Sequence, residues 1–146
     1  MKKIIILLAL VFSIGVANAL DFNDKVISKN QLPAQAQSFL NEYFAGAKIS
    51  YAKQEIDFLE RSYEVVLADG VKLEFSNKGS WKEVDCSYGE VPSSIIPAPI
   101  RKYISENYSG SRVLKIERNG KGYEVKLSNK LELKFNNDFK IVNIDD

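Results

Sequence analysis

The apolar and polar positions of this chain fall into three kinds of pattern: an unbroken apolar start, then stretches of helical period, then stretches that alternate. Ile4 to Val16 is almost wholly apolar, preceded by Lys2 and Lys3 and closed by the small-residue stretch Ala17-Asn18-Ala19. This is the three-zone pattern of a secretory signal peptide and predicts cleavage after Ala19. Spanning a bilayer takes about 20 apolar residues, more than this run offers. Lipid attachment at the cleavage point needs a cysteine there, and the only cysteine is Cys86.

The helical period appears twice. Ala36, Phe39, Leu40, Tyr43, Phe44 and Ala47 form one apolar stripe, and Ile96, Ile100, Tyr103, Ile104 and Tyr108 form another. Recurrence at three and four residues is the mark of an amphipathic helix. Pro33 and Pro97 suit the first turns, where no backbone N–H is needed, and Gly46 and Gly110 suit the C-terminal ends.

Each helix is followed by alternation. Tyr63, Val65 and Leu67, then Val71, Leu73 and Phe75, flank the turn pair Asp69-Gly70. Tyr123, Val125 and Leu127, then Leu131, Leu133 and Phe135, repeat the pattern. Period-two alternation predicts strands with one buried and one wet face. Further strands are expected at about 48–58, 81–85, 112–118 and 139–144. The two halves also match residue by residue, Leu32-Pro33-Ala34 with Ile96-Pro97-Ala98, and Tyr63-Glu64-Val65 with Tyr123-Glu124-Val125. The offset between the halves shortens at Asn119-Gly120-Lys121-Gly122, which reads as a tight hairpin.

The expected fold class is α+β: two tandem repeats, each one helix packed on a four-stranded antiparallel sheet. The segments are a signal peptide 1–19, an N-terminal arm or short strand 20–31, repeat 1 at 32–85, a turn-rich linker 86–95 and repeat 2 at 96–146.

Charge and composition narrow the chemistry. The chain has 20 basic and 19 acidic residues. Loss of residues 1–19 takes two lysines, so nothing marks a nucleic-acid binder, which needs a basic footprint. The rest is expected to be soluble, with no stable membrane anchor after cleavage. There is no histidine and one cysteine, which removes the usual triads and the zinc sites built from His or thiolate clusters. Cys86 reads either as a buried small hydrophobe or as a thiol that pairs with another molecule. Glu55, Asp57 and Glu60 read as a charged hairpin, since no calcium-loop spacing is present. No catalytic residue, metal site or cofactor is expected.

A family resemblance rests on Ile100-Arg101-Lys102-Tyr103-Ile104-Ser105-Glu106-Asn107-Tyr108 and Gly122-Tyr123-Glu124-Val125-Lys126-Leu127, with their counterparts in the first half. Over roughly residues 25–146 the chain resembles the PepSY-like family, also described as β-lactamase-inhibitor-like, of Bacteroidetes envelopes. The resemblance implies the fold of the β-lactamase inhibitor protein, whose sheets join into a surface that grips an enzyme. Related PepSY domains occur in propeptides of secreted metallopeptidases. One departure is that the inhibitor protein has disulfides, whereas this chain cannot form one internally.

The expected role is therefore an exported, non-enzymatic binding module in the periplasm or outside the cell. Its open sheet face would contact a protein, as an inhibitor or escort of an exported enzyme. Trp81 and Tyr88 are candidate anchors, because Trp and Tyr bury large area with few torsions. Trp81 equally fits a core position. Lys72, Glu74, Lys126 and Lys134 would steer the partner from the open face. The alternative is a small-ligand or peptide-binding protein using the cleft between the repeats.

Overall fold

The computed structural model describes residues 24–58 and 60–146. The expected signal segment and its cleavage site after Ala19 lie outside the described residues. The elements in chain order are β1 (Lys25–Ile27), α1 (Ala34–Tyr43), β2 (Ile49–Asp57), β3 (Glu60–Leu67), β4 (Lys72–Ser76) and β5 (Trp81–Asp85). There follow α2 (Ala98–Asn107), β6 (Val113–Asn119), β7 (Gly122–Leu127), β8 (Glu132–Asn136) and β9 (Ile141–Asp145). Short 3-10 turns at Lys29–Gln31 and Ser93–Ile95 lead into the helices.

All nine strands join one antiparallel sheet, in the order in which they occur in the chain. This corrects the expected fold class. The described residues form not two tandem helix-on-four-strand repeats but a single nine-stranded sheet with two helices. The join is made by β5 and β6, which pair Glu83 with Glu117, Val84 with Ile116 and Asp85 with Lys115. Residues 86–95, read from sequence as a linker, help to hold that join. The Cys86 N–H donates to the Leu114 carbonyl at 2.7 Å and the Val91 N–H to the Val113 carbonyl at 2.8 Å. Cys86, Val91 and Ile95 are buried with the rest of the core. Turn composition hid this, because a segment can turn and still spend its backbone donors on a neighbouring strand. The N-terminal arm also contributes, since β1 pairs with β2 from Lys25 opposite Gln54 to Ile27 opposite Ala52.

Both helices cover the same face. Tyr63, Val65, Leu67, Leu73 and Phe75 point to it from β3 and β4, and Val125, Leu127, Leu133 and Phe135 from β7 and β8; all are buried. Phe39 of α1 meets Phe75 edge-on at 5.6 Å, and Tyr103 of α2 meets Phe135 edge-on at 5.4 Å. Edge-to-face rings gain from their quadrupoles as well as from burial. Each helix starts after a proline with φ −54 and closes with Phe44 or Tyr108 donating its N–H to the carbonyl four residues back. Among the described residues no helix is long and apolar enough to cross a membrane.

Candidate functional site

Among the described residues the other face of the sheet carries no helix, and its residues are set by the alternation. Because Val65, Leu73, Val84, Ile116, Val125 and Leu133 share one cross-strand row on the core side, the residue before or after each points the opposite way. The register then lines up Lys53, Glu64, Glu74, Glu83, Glu117, Glu124, Lys134 and Asn143 on eight successive strands. Five adjacent strands thus place a glutamate at one level, about 4.8 Å apart from strand to strand. A neighbouring row holds Tyr51, Val66, Lys72, Asp85, Lys115, Lys126, Glu132 and Asp145.

Like charges side by side on a sheet are destabilising, and lysines offset most of the cost. Lys53 and Lys72 approach Glu64 at 3.9 and 3.6 Å. Lys115 lies 3.3 Å from Glu83 and 3.8 Å from Glu117, and Lys134 lies 3.4 Å from Glu124. The Tyr51 hydroxyl donates to Glu64 Oε1 at 3.0 Å. That bond and partial burial hold the Tyr51 phenol above its usual pKa. Glu64 and Glu83 are each only 8% exposed. Glu74, between them, makes no ion pair within 4 Å among the described residues. Burial, then the Glu83 carboxyl beside it, push the Glu74 carboxyl up to about 7. Glu117 is also raised, chiefly by burial.

Of the residues expected from sequence, Lys72, Glu74, Lys126 and Lys134 share this open face. Trp81 does not. Its ring packs 6.4 Å from Phe39 on the helix side, and the Arg118 guanidinium lies 4.0 Å from its ring centroid. Arg118 also donates to the Trp81 carbonyl at 2.7 Å and to Ser80 Oγ at 2.8 Å. Tyr88 is 88% exposed in the turn after β5. Its ring lies over Gly70, where a Cβ would come within 3.0 Å of it. Sequence reading missed Glu64, Glu83, Lys115, Glu117 and Glu124. Their signal was present in the wet positions of the alternating strands, but only the register shows that they form one row.

A hollow of about 310 Å³ opens beside α2, with Val91, Ile96, Ile104 and Tyr108 against Arg101 and Arg112. Its walls come from residues 90–113 alone. It is thus not a cleft between the two halves; a second hollow of about 280 Å³, with Arg61, Ser76, Trp81 and Lys82 against Arg118 and Asn119, lies where the two halves meet. Among the described residues no three acidic or thiol side chains converge closely enough to hold a metal ion.

Fold and face together define an open-faced sheet protein, closed by helices on one side and presenting a continuous charged surface on the other. The chain belongs to the family described as "Putative beta-lactamase-inhibitor-like, PepSY-like", which matches residues 61–143. Among solved structures it is similar to a "putative periplasmic protein" of the DUF2874 family from Bacteroides vulgatus ATCC 8482. The two are 46% identical over 86% of this chain and 98% of that one, with a TM-score of 0.84. It is also similar to a "putative calcium-regulated periplasmic protein" from Bacteroides thetaiotaomicron, at 51% identity over 84% of this chain and 97% of that one, TM-score 0.83. A third, from Bacteroides vulgatus and described as of unknown function, is 44% identical over 84% of this chain and 99% of that one, TM-score 0.81. None of the curated proteins matches the chain. All three solved relatives are described as periplasmic, one of the two destinations expected from the sequence.

Proposed function

We propose that this chain is a non-catalytic binding module of the cell envelope, whose open sheet face takes a cationic surface of an exported protein as its inhibitor or escort. The observation that carries this reading is the glutamate row. Five carboxylates on adjacent strands cost stability, and an uncharged polar row would cost less. A fold that keeps such a row on a broad, helix-free face is spending stability on a surface property. The lysines at its margins fix the orientation of a partner and penalise wrong ones. The inhibitor-like family agrees with this role.

The test is retention of envelope proteins from the host on immobilised residues 20–146, compared with a Glu74→Lys/Glu124→Lys double variant. The expected result is one dominant exported protein, lost from the variant and released by moderate salt. Dose-dependent loss of that protein's activity marks inhibition, and unchanged activity marks an escort. Equal retention by the variant places the contact elsewhere.

A second reading adds a cation. The Bacteroides thetaiotaomicron relative is described as calcium-regulated, and the glutamate row gives such an ion a place to act on this chain. It would ligate neighbouring carboxylates of the row directly, which calcium does more readily than magnesium because magnesium sheds its water reluctantly, rather than fill a closed cage of ligands. Calcium at millimolar concentration is then expected to raise the Tm of the wild type more than magnesium does, and Glu74→Gln is expected to shrink the difference. Equal shifts with both ions exclude this reading.

A further inference from the structure

Strands β5 and β9 sit on their inner neighbours in the same way. Leu73 faces Val84 and Phe75 faces Trp81 across one register shift; Leu133 faces Ile144 and Phe135 faces Ile141 across a matching shift. Their outer edges differ. The outer edge of β5 is filled by β6, and Val84 is fully buried. Among the described residues no strand lies on the outer edge of β9. Ile144, in the position of Val84, is 43% exposed, and Val142 beside it is 61% exposed.

The β5–β6 join shows what such an edge accepts. The Cys86 N–H reaches across to the Leu114 carbonyl. Two residues earlier along an antiparallel ladder the donor points the same way, so the Val84 N–H faces β6. In β9 the matching N–H of Ile144 therefore faces outward. On β5 the incoming strand places Ile116 against Val84 and Lys115 against Asp85. On β9 the same positions are Ile144 and Asp145, followed by Asp146.

We propose that the outer edge of β9 receives an extended antiparallel segment of another exported protein, with an apolar side chain over Ile144 and a Lys or Arg against Asp145. Main-chain hydrogen bonds supply the affinity in this mode, and the alternate side chains supply the selection. Charge decides between a foreign segment and a second copy of the chain. Two β9 strands paired around Ile144 gather Asp145 and Asp146 from both copies along one short ladder, with no cation to offset them. Acidic residues on an edge guard against such self-pairing. They leave the edge open to a basic strand. Asp145 lies at the margin of the open face, but the edge is read through its main-chain donors and not through the glutamate row, so the two proposals are tested apart.

The probe is a capped, fluorescein-labelled peptide with the sequence of β6, Val113 to Asn119, titrated against residues 20–146 by anisotropy. A scrambled peptide serves as the control. Saturable binding is expected, at least tenfold tighter than the scramble, together with slowed hydrogen exchange at the Ile144 amide. Ile144→Pro removes the outward donor and Ile144→Lys sets a charge against the peptide's Ile116. Both are expected to weaken binding at least tenfold while leaving the Tm within a few degrees, because the position is half exposed. Binding no better than the scramble up to about 1 mM, where binding free energy is only about 4 kcal/mol, overturns the proposal. So does binding unaffected by both variants, and so does concentration-dependent dimerisation of the protein that Ile144→Lys abolishes.

Discussion

Glu74 and Glu83 stand directly opposite one another on β4 and β5, at the centre of a row of five glutamates on the helix-free face. Burial and the Glu83 carboxyl raise the Glu74 pKa to about 7, from the usual 4.5 of a glutamate. The folded state therefore holds more protons than the unfolded state between those two values, and stability falls as pH rises through that window. The penalty is absent below about 4.5 and complete above about 7. Glu74→Gln is expected to stabilise the protein at pH 8 by roughly 1 kcal/mol, after allowance for solvent screening. At pH 5 it should do much less. Urea melts of both proteins at the two pH values check this. An equal gain at both would mean that ionisation of Glu74 is not the cause.

Arg118 links the two halves of the sheet through Trp81. It covers the indole at 4.0 Å and donates to the Trp81 carbonyl and to Ser80. Arg118→Ala removes a cation–π contact and two hydrogen bonds and is expected to cost about 1–2 kcal/mol. Tryptophan emission should shift to longer wavelength in the folded state as water reaches the ring. Arg118→Lys keeps the charge but not the planar fork, and should recover only part of the loss.

Gly79, with φ +91, closes the β4–β5 turn directly beneath the start of α1. A Cβ there would lie 2.8 Å from the Ala36 backbone nitrogen and 2.9 Å from Pro33. Backbone strain and the clash act together, so Gly79→Ala is expected to destabilise by about 1–3 kcal/mol. Its loss of helical signal should coincide with its loss of aromatic signal on heating. Gly46 has φ +78 with open space around it, so Gly46→Ala should suffer the backbone strain alone and cost less.

Cys86 is 3% exposed. Burial, followed by Asp85 and Asp69, pushes its thiol up to about 11. Reaction with a thiol reagent at pH 8 needs both exposure and thiolate, and the folded protein denies both. Labelling is expected to be at least a hundredfold slower than in strong urea and to follow unfolding. Rapid labelling under native conditions would show that the turn after β5 opens easily.

Much of the local structure was legible. The apolar stripes placed both helices to within a few residues, and the alternation of Tyr63, Val65, Leu67, Leu73 and Phe75 assigned the buried face. The turn at Asn119–Gly122 was readable because glycine and asparagine favour the backbone it needs. The reading failed where segments looked like connectors. Cys86 to Ile95 has turn composition and reads as a linker between two repeats of one compact domain, which leaves open whether their sheets join; its backbone ties to β6. Trp81 was open to either role because one aromatic at a strand start carries no local sign of what lies behind it.

The sequence by itself determined which residues are helical or extended, and which side of each element is apolar. Those properties repeat over two to four residues and need no knowledge of the rest of the chain. It also determined the absence of histidine chemistry. Only the tertiary structure decided that β5 pairs with β6, that one sheet results, and that five glutamates from five strands stand in one row. Register joins residues up to dozens of positions apart, and no short window of sequence contains that information. The same holds for β9, whose pattern resembles that of a covered strand while its outer edge is open among the described residues.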